Sequence, residues 1–174
     1  ALDRFDSFET VDINVVATDG VSTFNKSFTF RIEDTIPPVI ESPAPSGTID
    51  NAPDTSILFR LTDKQSGVDE SSVIVTLSVE IGSVITGYNA VLLGVIQPGF
   101  SGSITKNGND LDVFLTKDDD FESDSIVRVD IQAQDEANTV DGYFTFEVID
   151  NKAPIITNLV PSPNSINIAE TSTI

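Results

Sequence analysis

The chain has 174 residues, 28 of them acidic and 9 basic, for a formal charge of −19, and it contains no Cys, His, Met or Trp. That charge repels nucleic acid and anionic membrane surfaces and leaves cations and basic surfaces as partners. The missing thiols and imidazoles remove the thiol nucleophile, the imidazole base and the usual soft or borderline metal ligands.

No run of about 18 apolar residues is present, so no membrane-spanning helix is expected. The apolar residues are rich in Val, Ile and Phe, which suit pleated, half-buried strands. Helical periodicity is absent, and an all-β fold is expected.

The first two strands lie in residues 1–36, and the segment 11–40 aligns without a gap to residues 127–156, an offset of 116. Ala17 matches Ala133, Asp19 matches Asp135, Phe28 and Phe30 match Phe144 and Phe146, and Asp34 and Pro38 match Asp150 and Pro154. Upstream, Phe5 pairs with Phe121, and both are expected to plug the end of a core. The Pro-rich segments that follow Asp34 and Asp150 mark boundaries, because Pro lacks a donor and restricts its predecessor. Three pieces are therefore expected: the end of one repeat in residues 1–36, a complete repeat in 37–152, and the start of another in 153–174. On this reading the chain is cut from something longer.

Within the complete repeat, Ile57, Phe59 and Leu61 alternate on one face, as do Val73, Val75, Leu77 and Val79. Residues 81–100 are apolar and Gly-rich and read as an extra strand with a crossover loop, Val91, Leu92 and Leu93 being candidates for the core. Asn107 and Gly108 between two alternating runs predict a hairpin. Val127, Val129, Ile131 and Ala133 then face Phe144, Phe146 and Val148 across a last pair. Seven or so short strands fit an immunoglobulin-like antiparallel β-sandwich.

The stretches SGVDESSVIV, QPGFSG, VDIQAQDEAN and FEVIDNKAPII resemble bacterial and phage immunoglobulin-like repeats, and VIDNKAP is similar to the linker of cadherins. The resemblance implies tandem, non-enzymatic modules of adhesins, cell-surface proteins and phage tail or fibre proteins. It implies a place outside the cell or on a virion, with neighbouring repeats, other structural subunits or a surface glycan or receptor as partners. The alternative is a carbohydrate-binding module or accessory domain of a polysaccharide-active enzyme, since a carboxylate pair is the one catalytic device the composition leaves.

In such a sandwich the incoming linker and the loops after the second and sixth strands meet at one pole. That pole gathers Asp34, Asp63, Asp69, Glu70, Asp135 and Glu136. Calcium, which takes six to eight hard oxygen ligands, is the ion expected to bridge the junction. The competing reading, which the residues favour, makes these solvated loops with Asp chosen for turns, because no contiguous EF-hand loop exists.

Overall fold

A computed structural model describes residues 9–150 and residue 153. Phe5 and the expected first strands of a following repeat lie outside the described residues. The described residues form twelve strands and no helix, so no helix is long and apolar enough to cross a membrane. The fold is all-β, as the sequence predicts.

The chain opens with a hairpin, β1 (Thr10–Thr18) and β2 (Thr23–Arg31), which forms a two-stranded sheet of its own. A linker leads to β3 (Val39–Ala44), which pairs with β5 (Ile57–Thr62). With β10 (Asp110–Lys117) and β9 (Phe100–Asn107) these make a four-stranded sheet in the order β3-β5-β10-β9. The opposing sheet has the order β4-β12-β11-β6-β7-β8, from β4 (Gly47–Asn51), β12 (Thr139–Val148), β11 (Ile126–Gln134), β6 (Asp69–Ile81), β7 (Val84–Leu92) and β8 (Val95–Ile96). This is the order of a variable-type immunoglobulin sandwich, whose second sheet carries two strands beyond the seven of the constant type. The first strand divides between the sheets, because Pro43 and Pro45 interrupt it and cannot donate to a continuous ladder.

The core follows the period of two. Ile57, Phe59 and Leu61 of β5 and Leu111, Val113 and Leu115 of β10 face Val73, Val75, Leu77 and Val79 of β6 and the inward residues of β11 and β12; all are buried. Each such side chain contributes about 1.5–3 kcal/mol when removed from water. Phe121 closes one end, edge-to-face on Phe146 with centroids 5.6 Å apart.

Two turns depart from the predicted positions. The β9–β10 hairpin turns on Gly108 and Asn109, one residue later than expected, with Gly108 at φ +65° as a two-residue primed turn requires. Residues 81–100 form β7, β8 and their turn. Val91 is buried as expected, but Leu92 and Leu93 are exposed. Leu93 and Gly94 both take positive φ to close that turn, and the Gly94 amide donates to the Val73 carbonyl at 2.9 Å. A Cβ on Gly94 would stand 2.4 Å from the Glu70 carbonyl oxygen, so the turn seats on β6 only without a side chain there.

The β1–β2 and β11–β12 hairpins share one register. Val11 opposes Phe30 and Ile13 opposes Phe28 in the first; Val127 opposes Phe146 and Val129 opposes Phe144 in the second. The offset between these pairs is again 116 residues.

A candidate metal centre at the entry pole

Asp34, Asp63 and Asp135 come from three separate segments and are all buried. One carboxylate oxygen of each lies within 4.8 Å of those of the other two. Each is placed by its own loop. Asp34 ends the run out of β2, where its Oδ1 accepts the Ile36 amide at 3.0 Å and its Oδ2 accepts both the amide and the hydroxyl of Ser66. Burial pushes its carboxyl up, but the Ser66 hydroxyl and the amides of Ile36, Ser66 and Thr35 outweigh that and hold it below the usual range.

Asp63 follows β5, and its Oδ1 accepts the amides of Gln65 at 2.9 Å and Gly67 at 2.7 Å. Gly67, at φ +82°, lets the loop fold back to present that amide. The Asn109 side chain braces the same loop by donating to the Gln65 carbonyl at 3.2 Å. Asp63 is 3% exposed, and its Oδ2 has no hydrogen-bond partner. Asp135 follows β11, and its Oδ1 accepts the amides of Ala137 and Asn138. Asn138 also donates from its side chain to Asp135 Oδ2 at 3.2 Å and to the Ile36 carbonyl at 3.5 Å, which ties this loop to the linker.

Among the described residues no cation balances the charges in this cluster. None of the three carboxylates takes part in an ion pair among the described residues. Two unit charges no more than 4.8 Å apart repel by about 3.5 kcal/mol or more at an effective dielectric constant of about 20. Amide donors relieve part of this, but the buried Oδ2 of Asp63 receives none. The donor set is all hard oxygen, which suits calcium at 2.3–2.6 Å per ligand, since two oxygens on one such ion stand up to about 5 Å apart.

The other three acids predicted at this pole do not join the cluster. Asp69 is exposed and accepts the amide and hydroxyl of Ser71 at 2.9 and 2.7 Å, which caps the start of β6. Glu70 is exposed on β6. Glu136 is exposed and accepts two bonds from Arg31 Nη2, at 3.0 and 3.2 Å, which link the end of β2 to the β11–β12 loop. Ser66, Asn109, Asn138 and Arg31 are contributors that sequence reasoning missed. Ser66 lies 32 residues from the carboxylate it serves, so no local spacing announces it.

No protein family matches the sequence, and no curated protein matches it. Among solved structures the chain is similar to Astrotactin-2, described as a conserved vertebrate-specific and perforin-like membrane protein involved in neuronal development. The TM-score is 0.40 at 14% identity, over 65% of this chain and 21% of that one. A likeness of that size carries no argument about function.

Proposed function

We propose that this chain is a non-enzymatic structural and interaction segment of a larger extracellular or virion-surface protein, adhesin-type or phage tail-fibre-type, built from immunoglobulin-like repeats in tandem. The observation that carries this reading is the duplicated hairpin. In β11–β12, Phe144 and Phe146 are 9% and 1% exposed beneath the opposite sheet. Their counterparts in β1–β2, Phe28 and Phe30, are 49% and 40% exposed. An in-register copy with the same apolar face is what the last two strands of a preceding sandwich would present.

The junction between the two units is where calcium is proposed to bind, on Asp34, Asp63 and Asp135. The buried, unpartnered Oδ2 of Asp63 supports it, because an ion supplies the interaction that oxygen lacks. At 1 mM calcium and a dissociation constant of about 10⁻⁴ M, as in extracellular modules, binding stabilises the fold by about 1.4 kcal/mol. Thermal melting in 1 mM calcium and in chelator tests this. Calcium is expected to raise the midpoint by about 4 °C, and Asp63→Asn is expected to remove that rise while leaving a cooperative transition. A midpoint indifferent to millimolar calcium would overturn the metal assignment.

A further inference from the structure

The two hairpins end on opposite charges at equivalent positions, Arg31 and Glu147. At the entry pole Arg31, the last residue of β2, reaches across the junction to both oxygens of Glu136. The residue 116 positions after Arg31 is Glu147, near the end of β12. An anion therefore stands at the exit pole where a cation stands at the entry.

Glu147 is part of a larger acidic feature. With Glu80, Asp124 and Asp150 it lines a groove of about 700 Å³, to which no Lys or Arg among the described residues contributes. Glu80, Asp124 and Glu147 form no ion pair among the described residues. Asp124 sits at φ +60°, a left-handed conformation uncommon for a residue with a side chain. Beside it Ser125, which also lines the groove, is 1% exposed and its Oγ has no hydrogen-bond partner.

We infer that this groove is the docking surface for a basic loop of the module that follows, one carrying Lys or Arg at the position Glu136 holds in this module. The inference rests on the tandem reading proposed above. Two observations give the partner its chemistry: the Arg31–Glu136 contact at the equivalent junction, and the carboxylates of Glu80, Asp124 and Glu147, which no cation among the described residues pairs. It also gives the array an order. A copy of this same module stacked on the exit pole would set Glu136 against Glu147, and that repulsion discriminates against self-stacking.

A chain that runs from residue 1 to 152 and continues with residues 37 to 174 tests this, because it preserves the 116-residue spacing across a second junction. Glu136→Arg in the second copy alone is expected to raise the melting midpoint by about 2 °C, and in the first copy alone to lower it by about 2 °C. Both shifts are expected to vanish in 1 M salt, where the screening length falls to about 3 Å. Shifts of the same sign in the two copies, or no rise from the second-copy change, overturn the inference. A second copy that fails to melt cooperatively overturns the tandem reading beneath it.

Discussion

The β1–β2 and β11–β12 hairpins have the same register, the same alternation and phenylalanines at the same places, yet one buries its apolar face and the other exposes it. Their difference separates what a hairpin specifies locally from what a second sheet adds. Strand pairing and the Asp-initiated turn are the same in both. Asp19 Oδ1 accepts the amides of Val21 and Ser22 at 2.9 and 2.8 Å, as Asp135 Oδ1 accepts those of Ala137 and Asn138. Stability comes from the strands that cover the face, and an isolated two-stranded hairpin is marginal in water.

The comparison can be broken most sharply by deleting the same ring in each hairpin. Phe146→Ala is expected to cost about 3–5 kcal/mol, because the ring is fully enclosed. Phe30→Ala, on the half-exposed face, is expected to cost under about 1 kcal/mol. Urea midpoints at constant slope measure both, and equal losses would mean that the first hairpin is packed after all.

A smaller effect separates the two turn aspartates. Asp135→Asn is expected to abolish the calcium-dependent rise of about 1.4 kcal/mol, whereas Asp19→Asn leaves it intact. Calcium titrations of the two variants, followed by melting, decide the matter. Loss of the rise in the Asp19 variant would move the ion away from the three-carboxylate cluster.

The smallest effect is the acid dependence of Asp34, measured in chelator. Its folded pKa lies below the ordinary value of 3.8. Its contribution is therefore fully present above that value and is lost as pH falls through the lower folded value. Stability of the natural chain is expected to drop on acidification below about pH 4, and Asp34→Asn is expected to flatten that drop. Urea midpoints across this range measure it. An unchanged slope would show that the Ser66 hydroxyl and the surrounding amides do not favour the charged form.

The sandwich was largely legible because its inward residues keep a strict alternation, as at Ile57, Phe59 and Leu61. The β7–β8 stretch was not, because a register shift between Val75 and Thr76 and the tight Leu93–Gly94 turn break the alternation there. At the candidate site the topology places six acids near one pole, but it does not say which turn inward. For Asp34 and Glu136 that is settled by partners far along the chain, Ser66 drawing in the first and Arg31 holding the second outward, while Ser71, two residues on, keeps Asp69 on its own strand.

The split first strand has a mechanical consequence. β4 runs parallel to β12, with Phe146 beside Gly47 and Val148 beside Asn51, and Asn51 closes the pair through its side chain to the Glu147 carbonyl and its own carbonyl to the Ile149 amide, both at 2.9 Å. Tension applied between the linker before β3 and the exit after β12 pulls these two strands in opposite directions along their length. Their hydrogen bonds are then loaded together in shear and do not open one at a time, so this short parallel ladder is the element that would set the force the sandwich bears before it yields.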